Sequence, residues 1–259
     1  MPVAQVNGQS INYADSGGDG PAVLFSHGFL MDHTMFDQQV EALRDTYRCI
    51  AWDERGFGAT PATGHFSYWD SADDAMALLD HLGVDEAVLV GMSQGGFLSL
   101  RATLANPDRV RGLVLIDSQA GVDDAESLEG YKGMVAHWMS DDPLGEVGQF
   151  VAGLIIGEPE LSAQWIETWE DRRGPHMEYA AGALMERDDV TDRLGEISCP
   201  VLSIHGTEDQ AITMDLAESL QAAVPNARGL VVVPGAAHAP NMTHPAIVNP
   251  ALVDFLGSL

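Results

Sequence analysis

The sequence predicts an α/β fold, a mainly parallel sheet with helices on both faces, and three features of the chain carry that expectation. Short apolar runs at residues 22–26, 49–52, 87–90, 113–116, 201–204 and 230–233, most of them rich in Val, Ile and Leu, suit strands buried on both sides. Helical patterns lie between them, for example over residues 35–43 and 72–82, and strands alternating with helices make a parallel sheet by right-handed crossovers. Residues 4–13 instead alternate around Asn7-Gly8, a pair that favours the positive φ angles of a tight hairpin turn. This antiparallel start brings the expected sheet to eight strands.

Each element follows from local chemistry. Gly17-Gly18-Asp19-Gly20-Pro21 reads as the loop before the third strand, since glycine and proline punctuate regular structure. The strand–helix rhythm then runs to Asp117 and breaks. From residue 119 to 189 no strand pattern appears, while Trp138, Trp165, Trp169 and several methionines recur among acidic residues and glycines. We read residues 119–189 as a helical cap inserted into a core domain of residues 1–118 and 190–259. Aromatic and Met positions at helical spacing are packing surface, part of which is expected to face substrate. Met92, Trp138 and Trp165 are the candidate pocket residues.

Composition narrows the function classes. Only 12 Lys and Arg stand against 39 Asp and Glu, a formal charge of -27. Clustered cations are what phosphate binding requires, so nucleic acid and anionic membranes are not expected partners. No apolar run approaches the roughly 18 residues that span a bilayer, and residues 1–7 lack a basic or apolar leader, so a cytoplasmic location is expected. Cys49 and Cys199 begin separate strands without a CxxC partner, which points to buried free thiols. The nine histidines are scattered and match no metal-ligand spacing. No metal or cofactor is implied.

The strongest local signal is Gly91-Met92-Ser93-Gln94-Gly95, which follows an apolar strand and opens a helix-compatible stretch. A serine on a sharp strand-to-helix turn needs small residues two positions away on either side, so that strand and helix can pass closely. Gly91 and Gly95 meet that need. The turn also presents Ser93 at a helix N-terminus, with the Gln94 N–H aimed at a developing oxyanion. Such a serine needs a base and a carboxylate to orient the base. Residues 201–209 run from an apolar strand into a loop ending at Asp209, and residues 230–238 repeat the plan, ending at His238. Loops after the C-termini of parallel strands converge on one edge of the sheet, so Ser93, Asp209 and His238 are expected to meet there. His27 and His205 lie on the strand side of their loops and are expected to be structural.

With His27-Gly28-Phe29-Leu30, Asp53-Glu54-Arg55-Gly56-Phe57-Gly58, the Ser93 turn and the Asp209 and His238 loops in this order, the chain resembles the α/β-hydrolase fold family throughout its length. The resemblance implies Ser93 as nucleophile, His238 as base, Asp209 as acid and Phe29 as the second oxyanion N–H donor beside Gln94. Asp117 is the alternative acid, because it also ends a strand and some relatives draw their carboxylate from that strand. The segment 53–58 is implied to brace the site.

Within that family the resemblance is to the esterase, aryl-esterase, perhydrolase and enol-lactonase branch. Dehalogenases and epoxide hydrolases of this fold carry a carboxylate where this chain has Ser93. Proline iminopeptidases and many carbon–carbon hydrolases carry a Gly-Pro-Gly-type loop where it reads Phe29-Leu30-Met31-Asp32. The expected activity is hydrolysis of small carboxylic esters through an acyl-enzyme. The alternatives are a lactonase or cofactor-free perhydrolase or haloperoxidase on the same residues, and a non-catalytic binding protein of the same fold.

Overall fold

The computed structural model describes all 259 residues. In chain order the first half comprises β1 (Val3–Val6), β2 (Gln9–Asp15), β3 (Ala22–Ser26), α1 (Asp37–Leu43), β4 (Arg48–Trp52), α2 (Tyr68–His81), β5 (Ala87–Met92), α3 (Gln94–Ala105) and β6 (Val110–Ile116). There follow α4 (Ala125–Trp138), α5 (Gly145–Ile155), α6 (Pro159–Arg172), α7 (Met177–Met185), β7 (Val201–Gly206), α8 (Met214–Ala223), β8 (Ala227–Val233), α9 (Pro240–Thr243) and α10 (Pro245–Gly257).

The eight strands form one sheet in the order β1-β2-β4-β3-β5-β6-β7-β8. Val6 pairs with Gln9 across the first turn, where Asn7 and Gly8 have φ of +48° and +74°. That is the twist-matched geometry expected of a two-residue hairpin. β2 pairs antiparallel with β4, and every later pairing is parallel. The parallel strands therefore send their C-terminal loops to one edge.

Strands β5 and β7 outlast their apolar runs because neighbours continue to pair with them: Gly91 faces Leu115, and Gly206 faces Val233. The helical pattern over 35–43 divides into a 3-10 turn at His33–Phe36, capped by the Asp32 side chain, and then α1. α2 begins earlier than its apolar pattern, at a capping box made by Ser67 and Asp70. One expectation is corrected. The last apolar run is not buried on both faces, because β8 is the edge strand and Val232 there is 46% exposed.

α2 and α3 pack together, α3 over β5 and α2 over β1, α1 packs with α10, and α8 lies on β7 and β8. Between β6 and β7 the chain makes four helices, α5 packing on α6 and α4 on α7. Their buried Val135, Trp138, Val151 and Trp169 join the sheet strands in one continuous apolar core. Cys49 and Cys199 are free and buried. Burial pushes their thiols up to about 12 and about 11, which removes the reactive thiolate. No helix is long and apolar enough to cross a membrane.

Candidate active site

Ser93 sits between β5 and α3 with φ +51° and ψ -116°, a conformation that costs a non-glycine residue about 1–3 kcal/mol. Surrounding bonds hold it there. Its N–H donates to the Ile116 carbonyl at 2.9 Å, and its own carbonyl accepts from Gly96 N, Phe97 N and Ser118 Oγ. A Cβ at Gly91 would lie 2.2 Å from the Gly95 carbonyl oxygen, and one at Gly95 would lie 1.9 Å from that of Ser26. The two glycines are what lets α3 pass so close to the sheet.

Gln94 is the first residue of α3, so its N–H has no partner within the helix. The other candidate donor lies in the turn Gly28–Met31, closed by Met31 N–H donating to Gly28 O at 3.1 Å. Phe29 and Leu30 are its central residues, and Leu30 has φ +66°, where such a turn ordinarily carries glycine. Neither the Phe29 N–H nor the Gln94 N–H is taken up by an acceptor in the chain, and Phe29 and Ser93 line one cavity.

His238 lines that cavity as well and puts its Nδ1 2.7 Å from Asp209 Oδ2. Since the carboxylate can only accept, Nδ1 carries the proton, and in the neutral imidazole Nε2 keeps its lone pair. Asp209 Oδ1 accepts from the N–H groups of Ala211 and Ile212 at 2.8 and 3.1 Å. Burial works against the Asp209 charge, but His238 and the Ile212 N–H outweigh it and hold the carboxyl below its ordinary range. Asp117 is the reverse case. Burial and the neighbouring Asp209 charge push it well above that range and so favour its uncharged form, and its Oδ1 accepts from Gly206 N–H at 2.9 Å.

The histidines expected to be structural are buried and held neutral. His27 lies between Gly28 O at 2.8 Å and Glu54 N–H at 3.0 Å, and burial lowers its pKa. His205 Nε2 donates to Ile212 O at 2.8 Å, and burial likewise lowers its pKa. Two acid–histidine groups, Asp32 with His33 and Asp53, and Asp117 with His205 and Asp209, have metal-like spacing. In the first, Asp53 accepts from His33 N, His33 Nδ1 and Ala59 N, while Asp32 accepts from Thr34 and Arg172. Its carboxylates are committed to protein donors. The Asp53 contacts tie segment 53–58 to the 3-10 turn that begins at His33.

The family model for the alpha/beta hydrolase fold matches residues 21–245 of this chain. The chain belongs to the α/β-hydrolase fold family. Among relatives of this α/β-hydrolase, a non-heme chloroperoxidase from Streptomyces lividans is 31% identical, with 99% of each chain covered. A 3-oxoadipate enol-lactonase from Acinetobacter baylyi is 28% identical over 79% of this chain and 78% of its own. Among solved structures, a thermophilic esterase from Thermogutta terrifontis superposes with a TM-score of 0.89 at 29% identity, covering 100% of this chain and 97% of its own.

The hydrolase encloses a cavity of about 510 Å³ between the sheet edge and the inserted helices. Met92, one of the candidate pocket residues, lines it together with Phe29, Phe97, Tyr131, Met134 and Leu154. Trp138 and Trp165, expected in the pocket, are not part of its wall. Trp138 is 1% exposed and edge-on to Trp169, and Trp165 is tilted against Trp169 as well. Their size is spent on packing. The wall facing Ser93 comes instead from residues at a helical period that the sequence displayed, Tyr131 and Met134 on α4 and Val147, Val151 and Leu154 on α5. That signal was available and the tryptophans obscured it.

The cavity's electrostatics are also particular. Asp123 and Glu129 line it, whereas no Lys or Arg does. Arg187 lies just behind, its guanidinium 4.4 Å from the Phe97 ring, but it is paired with Asp123 at 2.7 Å.

Beneath the serine turn lies a buried polar chain that the sequence did not reveal. Tyr68 donates its hydroxyl to Gln94 Oε1 at 3.1 Å, and Gln94 Nε2 donates to Glu54 Oε2 at 2.6 Å. Burial pushes Glu54 up to about 8 from 4.5. Below pH 4.5 the carboxyl is neutral whether the chain is folded or unfolded. Between those values only the unfolded chain ionises it, so the Glu54 contribution to stability falls as pH rises towards 8. Glu54→Gln is therefore expected to be more stable than wild type at pH 8, by on the order of a few kcal/mol. Urea titrations across the range should show the gap closing by pH 4.5, and a gap independent of pH would contradict a neutral Glu54.

Proposed function

We propose that the protein hydrolyses neutral carboxylic esters through an acyl-enzyme on Ser93. The observation that carries this reading is the arrangement around the cavity: a strained serine, an Asp209-anchored imidazole with a free Nε2, and two uncommitted backbone N–H groups. In this reading His238 Nε2 takes the Ser93 proton as Oγ attacks the ester carbonyl, and Asp209 stabilises the imidazolium. Phe29 and Gln94 N–H groups bind the oxyanion. The imidazolium next protonates the leaving alkoxide, and a water activated by the same Nε2 releases the acid and regenerates Ser93. The inserted helices act as a cap whose apolar wall takes the acyl or alcohol chain.

Charge narrows the substrate class. The two carboxylates that line the cavity are ion-paired, Asp123 with Arg187 and Glu129 with Lys132, so it is the net charge of -27 around it that disfavours substrates with a carboxylate of their own. A lactone is a cyclic ester and falls within the same chemistry. Interception of the acyl-enzyme by hydrogen peroxide instead of water would give a peracid, and the full-length likeness to a protein named as a chloroperoxidase supports including that reaction.

The test begins with a fluorophosphonate, whose adduct is expected on Ser93 by mass spectrometry. A matched pair of aryl esters, butyrate and the hemisuccinate that carries a carboxylate, then probes the pocket. At low ionic strength kcat/KM is expected to be about 10-fold higher for the butyrate, with the gap narrowing as salt screens that charge. An adduct elsewhere overturns the nucleophile. Preference for the hemisuccinate overturns the substrate class.

A further inference from the structure

We propose that Trp169 is a positioning residue for the oxyanion hole, holding from α6 the backbone turn that presents the Phe29 N–H; this rests on the ester-hydrolase reading above. The turn needs an external hold. Leu30 occupies left-handed backbone at φ +66°, a region that a branched side chain enters only when its surroundings require it. Return to negative φ would re-aim the Leu30 carbonyl and shift the adjoining Phe29 peptide. The carbonyl is fixed from outside the turn: Trp169 Nε1–H donates to Leu30 O at 2.8 Å, a buried bond between residues 139 apart in sequence.

The donor itself has little freedom. Trp169 is 3% exposed, with the Trp138 ring at 5.7 Å and 61° and the Trp165 ring at 6.4 Å and 48°. One helical turn further on, Arg172 pairs with Asp32, whose other oxygen caps the 3-10 turn through Thr34 N–H at 2.8 Å. α6 thus grips the loop at two points, on either side of Met31. A buried indole could have packed here as a phenyl ring; its N–H is spent on the carbonyl next to the residue that carries the oxyanion donor. Because a displacement of about 1 Å at a reacting centre can cost up to ~100-fold in rate, this hold bears on the transition state more than on the bound ester.

The experiment compares wild type, Trp169→Phe, Arg172→Met and Trp165→Phe, using an aryl butyrate and a trifluoromethyl ketone that adds reversibly to the serine as a tetrahedral oxyanion. Trp169→Phe keeps a ring in place and removes the donor. Its kcat is expected to fall by about 10-fold with KM within about twofold, and affinity for the ketone to fall by the same factor as kcat/KM. Arg172→Met, altering an exposed side chain, is expected to lower kcat by about threefold, again without moving KM. Trp165→Phe disturbs the same aromatic cluster without touching the turn and is expected to leave both kcat and ketone affinity unchanged. An active wild type with Trp169→Phe within twofold of it in kcat, or with ketone affinity unmoved, overturns the proposal alone. A similar loss in Trp165→Phe overturns it by assigning the effect to packing. A wild type that neither hydrolyses esters nor binds the ketone overturns the ester-hydrolase reading, and this proposal with it.

Discussion

Ser93→Ala is expected to lower kcat for an aryl butyrate by about 10⁵- to 10⁶-fold and to abolish the fluorophosphonate adduct, since the other cavity hydroxyls, Ser127 and Tyr131, lie on α4, away from the turn that carries the Gln94 N–H. Residual turnover would come from the Phe29 and Gln94 N–H groups acting on water attack. The same position makes an independent prediction about stability. Ser93 has φ +51°, and alanine in its place keeps that strain, so the melting temperature of Ser93→Ala should stay within a few degrees of wild type. Ser93→Gly relieves the strain, because glycine enters positive φ without a Cβ clash. It should gain about 1 kcal/mol, or roughly 2–4 °C in Tm for a chain of this size, while being equally inactive. Circular-dichroism melts check this. A glycine variant less stable than the alanine one would show that the turn is not a strained site, and an active Ser93→Ala would remove Ser93 as nucleophile.

The strand pattern was legible because a buried parallel strand has no polar face to confuse it: residues 22–26 read as strand in sequence and are β3 in full. The Ser93 turn was legible for a different reason. Gly91 and Gly95 are demanded by clashes that any Cβ would cause, so steric necessity appears directly as residue identity. The edge strand β8 misled, since its Val-rich run is the same whether one face or both are covered. The pocket was harder still. Trp138 and Trp165 are large and conspicuous, but sequence cannot say which side of a helix meets the cavity and which meets another helix, and both tryptophans went to Trp169. Nor does spacing reveal that Glu54, Gln94 and Tyr68 share a buried chain, because three distant segments meet there only after the sheet has formed.

Between the two acids, Asp209→Asn is expected to cost about 10⁴-fold in kcat and Asp117→Asn less than about 10-fold. The asymmetry follows from donors and acceptors. Asp209 Oδ1 already receives Ala211 N–H and Ile212 N–H, while Oδ2 faces His238 Nδ1. An asparagine there must keep its carbonyl oxygen on the two backbone donors, which turns its NH₂ towards Nδ1. Nδ1 must then accept, the proton moves to Nε2, and the imidazole loses the lone pair that would deprotonate Ser93. Asp117, by contrast, has its uncharged form favoured by burial and by the Asp209 charge, so an amide replaces a group of equal charge. It can keep the bond from Gly206 N–H, and asparagine accepts the φ of +44° found there better than most residues. Stability should separate the two as well. The raised pKa of Asp117 means that its contribution is full below 3.8 and declines as pH rises, because the unfolded chain ionises it and the folded chain does not. Asp117→Asn removes that penalty, so its Tm should equal or exceed that of wild type at pH 7–8, with the advantage vanishing near pH 4. Asp209 has the opposite sign: its lowered pKa gives stability above 3.8 that is lost as pH falls, and Asp209→Asn should be the less stable variant at neutral pH. Severe loss of kcat in Asp117→Asn with little in Asp209→Asn would move the acid to the end of β6, and with it the geometry that orients His238.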